Sequence, residues 1–180
     1  MSELIKHECG FAFIRLLKPL EYFQSKYGNW MYGINRMYLM MEKQRNRGQD
    51  GAGMASVKLD TLPGTRYIDR TRSNSSHPIV DVFDEVRKPI NAVRHENPEL
   101  LKDAQWAKTN MPFAGEIYLG HLRYGTFGKN DIDNVHPVMR ENNWKSKNLA
   151  VAGNFNLTNV GEMFQSLVDL GQHPKGYSDT

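Results

Sequence analysis

The sequence predicts one mixed domain, α/β or α+β, in which strands interleave with two or three helices, and three observations carry that expectation. The 180 residues are 39% hydrophobic, 11% aromatic and 24% charged, near the average for a globular domain and enough for one sizeable core. Short apolar runs of strand length recur at Gly10 to Leu17, Ala52 to Leu59, Glu116 to Arg123 and Lys147 to Ala152. Between them lie stretches with helical spacing, most plainly Ile34, Met37, Tyr38 and Met41. No internal repeat, heptad pattern or low-complexity tract interrupts this alternation.

The first strand begins at or beside Cys9 and ends before Pro19, which cannot donate to a sheet ladder. Glu21 to Gly33 reads as an aromatic, glycine-containing connection. A helix follows from Met31, with Glu42 to Arg47 as its polar end and Gly48 as its stop. Its methionine and tyrosine stripe is the pattern of core packing rather than of a cofactor box. After the strand at Ala52, Pro63-Gly64 turns the chain into a short strand around Tyr67 and Ile68, and the polar Ser73 to His77 is loop. Ile79 to His95 has helical character that Pro89 should break, and Asn97-Pro98 opens another short helical stretch. Near the end, Asn159 and Glu162 have capping-box spacing, Val160, Met163, Phe164 and Leu167 share one face, and Gly171 stops the helix.

Charge and composition exclude several classes. Twenty-three Lys and Arg against twenty Asp and Glu leave +3, scattered rather than gathered in a basic stripe, which argues against nucleic acid. No apolar run approaches the ~20 residues of a membrane span, and Met1 to Glu8 lacks the apolar core of a secretory signal, so a cytoplasmic protein is expected. The Asn74 and Asn156 sequons therefore carry no weight. The six histidines show no His-x-His or His-Glu-x-x-His spacing, so neither a metal nor another cofactor is expected, and the histidines read as solvated or satisfied. One cysteine, Cys9, excludes an internal disulfide framework or a multi-cysteine metal site.

Four segments dense in Gly, Asn, Arg or Asp stand beside element ends, where backbone amides become available to a ligand. They are His7 to Phe11, Asn46 to Gly53, Gly120 to Thr126 and Ala152 to Asn159. Taken singly each is weak: a lone cysteine is usually a small hydrophobe, and an arginine at a strand end is usually a surface ion pair.

In order and spacing, however, Cys9-Gly10, Arg47 to Gly53, Gly120 to Thr126, Asn134-Val135-His136-Pro137, Asn154-Phe155-Asn156-Leu157 and Ser178-Asp179 resemble the motifs of the class II glutamine amidotransferases, which are N-terminal-nucleophile hydrolases. The resemblance spans almost the whole chain. Arg123-Tyr124 and Val80 to Phe83 favour the amidophosphoribosyltransferase branch of purine synthesis over the sugar-amidating and asparagine-forming branches.

The resemblance implies a four-layer αββα sandwich and hydrolysis of glutamine to glutamate and ammonia. Such chemistry needs a nucleophile, a proton carrier and donors for an oxyanion. Cys9 would attack, and as the first residue it would offer a free α-amino group, whose ordinary pKa of ~7.7 to 8.0 suits proton exchange. Residues 1–8 would then be a leader lost on maturation, and residues 9–180 the glutaminase domain, truncated at its C-terminal end. Asn154 and the backbone N–H of Phe155 would receive the oxyanion, although Phe155 replaces the usual Gly and Gly153 the usual His. Arg123 with Thr126 would hold the α-carboxylate of L-glutamine, and Asp179 its α-ammonium. Arg47 and Asp50 would support the turn beside the thiol.

Nothing here matches a phosphoribosyltransferase half, so the resemblance places the ammonia acceptor on a phosphoribosyltransferase or other synthase domain outside this chain. Homo-oligomerisation is left open. The alternative is a domain of the same fold that never frees Cys9 and serves in ligand or partner binding.

Overall fold

The strand-length runs assemble into antiparallel sheets whose register brings the four motif segments toward one end. A computed structural model describes residues 8–125, 131–154 and 157–174. Strands β1 (Gly10–Arg15), β2 (Gly51–Val57), β3 (Ile68–Ser73) and β4 (Ile117–Arg123) form one sheet in the order β1-β4-β2-β3. Gly10 lies opposite Leu122, and Gly51 opposite Arg123, so β4 is the central strand on which β1 and β2 converge. A second, two-stranded sheet pairs β5 (Val138–Arg140) with β6 (Leu149–Val151), Val138 standing opposite Val151. The domain is mixed α/β with antiparallel sheets, as the alternating pattern predicts.

One face of the large sheet is covered by two helices. Helix α2 (Tyr32–Lys43), which follows α1 (Leu20–Tyr27), lies on β1 and β4, and α3 (Pro78–Glu96) lies on β2 and β3. The stripe Ile34, Met37 and Met41 is buried as expected, and Ile79, Val82, Phe83, Val86 and Ile90 of α3 are buried beside it. Removing one such side chain from water contributes about 1.5–3 kcal/mol. The opposite face of the sheet looks toward β5 and β6.

Five departures from the sequence pattern have physical causes. The connection expected over Glu21 to Gly33 contains α1, whose Leu20 and Phe23 are buried and whose end is set by Gly28 at φ 68°. Tyr32 stacks on both Phe23 and Tyr27 at 4.9 Å, so aromatics that read as irregular serve as packing. Pro89 does not break α3: five buried side chains on one stripe outweigh the ~3 kcal/mol that an interior proline costs. The short stretch from Pro98 is a 3₁₀ turn, and a further helix, α4 (Ala104–Asn110), follows it. There Asp103 caps the helix, accepting from the backbone N–H of Gln105 at 2.9 Å and Trp106 at 3.0 Å. The last helix, α5 (Val160–Asp169), forms as expected, but Asn159 makes no side-chain cap and none of the helix residues is buried. Finally, β5 has only three residues, too few for period-2 alternation to reveal.

The end of the sheet away from the motifs is closed by charge. Lys108 and Glu116 form a buried ion pair at 2.6 Å, and Glu116 also accepts the Leu59 backbone N–H at 2.8 Å. Lys58, buried nearby, has its pKa lowered by loss of solvent.

Candidate active site

Cys9 precedes β1, and the register that sets Gly10 opposite Leu122 brings it beside the end of β4 at Arg123 and Tyr124. Its half-buried thiol accepts the Tyr124 backbone N–H at 3.4 Å and directs its S–H at the Tyr124 carbonyl oxygen, 3.8 Å away. Strand β1 is an edge strand, whose outward polar groups would otherwise face water. Gln44, at the C-terminal end of α2, covers them: its Oε1 accepts from Phe11 N at 3.1 Å and its Nε2 donates to Phe11 O at 3.1 Å. This clamp, two residues from the thiol, has no signature in the sequence beyond a glutamine at a helix end.

Asp50 ties together the two turns that frame the thiol. Its backbone N–H donates to Arg123 O at 3.0 Å, and its Oδ2 accepts from Gly125 N at 2.7 Å. The motif containing Asp50 is therefore stitched to the motif containing Arg123 immediately beside Cys9. Arg123 is buried, at 5% exposure. Arg47 meets Glu8 at 3.5 Å, both side chains more than half exposed, a pair of the kind worth ~0–1 kcal/mol. Thr126, Phe155 and Asp179 lie outside the described residues.

Asn154 is exposed, and the residue before it is held firmly. Gly153 O accepts from His121 Nε2 at 3.2 Å, while His136 Nδ1 lies 3.1 Å from Gly153 O and 3.3 Å from Gly153 N. Both imidazoles are buried, at 2% and 8% exposure, with ring centroids 4.8 Å apart. Burial, then the neighbouring His136, push the pKa of His121 down to about 4, with the Gly153 carbonyl opposing and Arg123 adding to the shift, so this ring is neutral at neutral pH. Its Nδ1 is buried and finds no hydrogen-bond partner among the described residues.

Two further groups seat this assembly. Arg72 donates through Nη1 to Val135 O at 2.8 Å and reaches Asp133 at 3.7 Å, fixing the segment that carries His136. Gly53 is where that segment crosses β2: a Cβ there would fall 2.2 Å from His136 O, so only glycine allows the approach. The sequence pattern counts His121 and His136 among solvated or satisfied histidines. Both rings are bonded to Gly153 and packed on each other, which the motif segments they stand in signal and no metal-type spacing does.

Among the described residues, no three His, Cys, Asp or Glu side chains converge where a metal ion could sit. No described helix is long and apolar enough to cross a membrane. A cleft of about 300 Å³ lies between the end of α2 and the start of α3, lined by Glu42, Arg45, Gln49 and His77 among others, but Cys9 is not in its wall. The thiol sits at the open end of the sheet.

Comparison with known proteins finds relatives of the family that the motifs resemble. The chain is 28% identical over 146 residues to amidophosphoribosyltransferase 3, chloroplastic, of Arabidopsis thaliana, covering 79% of this chain and 21% of the relative. It is 28% identical to the amidophosphoribosyltransferase of Bacillus subtilis over 79% of this chain and 24% of that protein. With the amidophosphoribosyltransferase of Lacticaseibacillus casei it shares 35% identity over 145 residues, 79% of this chain and 58% of the relative. The chain thus spans 21% to 58% of the length of these curated relatives. No family model matches the chain, and no solved structure does. Similarity over 79% of its length relates this chain to the amidophosphoribosyltransferases, the branch of the class II glutamine amidotransferases that its motifs resemble.

Proposed function

We propose that this chain is a glutaminase domain whose nucleophile is Cys9. Residues 1–8 form a leader whose removal frees the Cys9 α-amino group, and residues 9–180 form the glutamine amidotransferase domain. The thiol attacks the side-chain amide carbon of L-glutamine while the α-amino group takes its proton. The resulting oxyanion faces the Asn154 side-chain amide and the Phe155 backbone N–H. Collapse breaks the C–N bond, the ammonium group returns its proton to the departing ammonia, and a glutamyl thioester remains for water to hydrolyse to glutamate.

Arg123 and Thr126 hold the substrate α-carboxylate, and Asp179 its α-ammonium. A guanidinium shielded from water suits that fork, because charge-assisted hydrogen bonds strengthen as solvent is excluded. Arg47 and Asp50 support the turns around the thiol. The complete fold in this reading is the four-layer αββα sandwich of N-terminal-nucleophile hydrolases, of which the helices, the large sheet and the β5–β6 pair would supply three layers. The ammonia serves an acceptor on a phosphoribosyltransferase or other synthase domain outside this chain, in a cytoplasmic enzyme of purine biosynthesis.

The observation that carries the reading is the placement of Cys9: the lone thiol sits beside the Arg123-Tyr124 end of β4, bonded to the Tyr124 backbone. Purified protein should show an intact mass lacking eight residues and should release glutamate from glutamine. Cys9→Ala should reduce that release to the uncatalysed background. A full-length mass, no glutamate release and no labelling by a glutamine-like thiol alkylator would together sink the reading in favour of a binding domain.

A further inference from the structure

Where β4 faces the segment leading into β5, two buried imidazoles, His121 of β4 and His136 of that segment, are not used by the reaction as described. We infer that His121 and His136 are positioning residues: their rings hold the main chain of Gly153 and thereby set where the side-chain amide of Asn154 stands relative to Cys9. This rests on the glutaminase reading above, in which Asn154 receives the oxyanion.

Three observations carry it. First, both hydrogen-bonding groups of Gly153 face an imidazole. Its carbonyl meets His121 Nε2 and His136 Nδ1, and its N–H faces the same His136 nitrogen, so whichever tautomer His136 adopts, it bonds Gly153. The β5–β6 pairing runs only from Arg140–Leu149 to Val138–Val151, and beyond it the rings take over as partners of this segment.

Second, the strand register fixes the direction of the hold. His121 stands opposite Phe11 and Gly53, two residues from Arg123 on the same side of β4. That is about 7 Å along the strand from the position beside Cys9. The residue following Gly153 is therefore anchored to the strand that delivers the thiol's own backbone partner, Tyr124.

Third, the tautomer of His121 is determined and comes at a cost. A carbonyl oxygen only accepts, so Nε2 carries the proton. This leaves Nδ1 as a buried acceptor without a partner among the described residues. Packing alone would be served better by an apolar side chain of similar shape. What the imidazole supplies and a phenyl ring does not is the Nε2–H aimed at Gly153.

The test uses the mature protein and three variants. His121→Phe keeps a ring and removes the donor, His121→Gln restores an N–H at similar reach, and His136→Gln alters the second ring. A misplaced oxyanion donor is felt only as charge develops, so His121→Phe should lower kcat about 100-fold with KM for glutamine within about twofold, and His121→Gln should recover to within about tenfold of the parent. The ring ¹⁵N shifts of His121 should report protonated Nε2 and bare Nδ1. The Asn154 side-chain amide resonances should shift in His121→Phe and return in His121→Gln.

An unchanged kcat in His121→Phe, a loss that glutamine at 121 does not rescue, or a proton on Nδ1 would overturn the inference. Should His121→Phe fail to fold, the less buried His136→Gln must show the same split between kcat and KM, and its absence would count equally against the proposal. If the parent protein releases no glutamate, the glutaminase reading fails by itself. The clamp is then judged on the Asn154 resonances, and their indifference to His121→Phe would refute it.

Discussion

The two faces of β4 are built by opposite rules. On the side turned to α2, Tyr118, Gly120 and Leu122 meet apolar side chains: a Cβ on Gly120 would fall 2.7 Å from Met37 Sδ, and the nearest atom to a Cβ on Gly10 is Leu122 Cδ1. That side is dry, and its order comes from fitting volumes. The other side carries Ile117, Leu119 and His121. A cleft of about 300 Å³ lined by Phe13, Leu119 and Leu149 among others separates it from β6 over part of its length. Beyond that cleft, hydrogen bonds from His121 and His136 to Gly153 join the two sides, with Phe11 and Phe13 of the neighbouring strand still 51% exposed. One face is stabilised by what its side chains fill; the other is organised by hydrogen bonds made possible where a side chain is missing. Stability and site geometry should therefore be separable by mutation.

The largest effect should come from the dry face. Phe83→Ala empties a fully buried position between α3 and the sheet and should lower unfolding free energy by about 3–5 kcal/mol in denaturant titrations. Glutamate release per folded molecule should hardly change. A loss of kcat in the protein that remains folded would mean the two faces are coupled.

Gly53→Ala attacks the other face. The added methyl meets backbone, His136 O at 2.2 Å, which cannot swing away as a side-chain end could. A cost of about 3 kcal/mol is expected, together with a loss of kcat, because the segment carrying His136 must move. Retained activity would show that this segment does not set the site.

The smallest effect concerns pH. Folded His121 titrates at about 4 against an ordinary 6.5, so it stays neutral while the unfolded chain binds a proton. Its contribution to stability is complete above the unfolded value and is lost as pH falls through the window toward the folded one, reaching about 2 kcal/mol by pH 5. Comparing denaturation midpoints of parent and His121→Gln at pH 7.5 and pH 5 isolates it. Equal pH dependence in the two proteins would show that the imidazole is not held neutral.

How much of this was legible beforehand follows the same division. The stripe Ile34, Met37 and Met41 could be read from periodicity, because burial of one face imposes a period on the chain, whereas the strands at Ala52 and Glu116, buried on both faces over most of their length, show as short apolar runs. Helix α1 was hidden because aromatic stacking among Phe23, Tyr27 and Tyr32 leaves no clean stripe, and the continuity of α3 through Pro89 was hidden because propensity is a local quantity and packing is not. Cys9, Arg123 and Asn154 stood out by their motif setting. Gln44 had no such setting, and the motif setting of His121 and His136 did not reveal what they bond, since a polar residue shows its partner only after the chain has folded.

The sequence by itself determined the class of the domain, its single thiol, the order of its motif segments and the apolar side that packs, all properties of residue type and spacing. Tertiary structure alone decided that Cys9 meets the Tyr124 backbone, 115 residues away, that Asp50 joins two motifs across the mouth of the sheet, and that two histidines meet on one glycine. The physical reason is that hydrogen bonds between distant segments depend on strand register and on close approach of backbones. Both are settled by the whole sheet at once, and neither leaves a period in the chain.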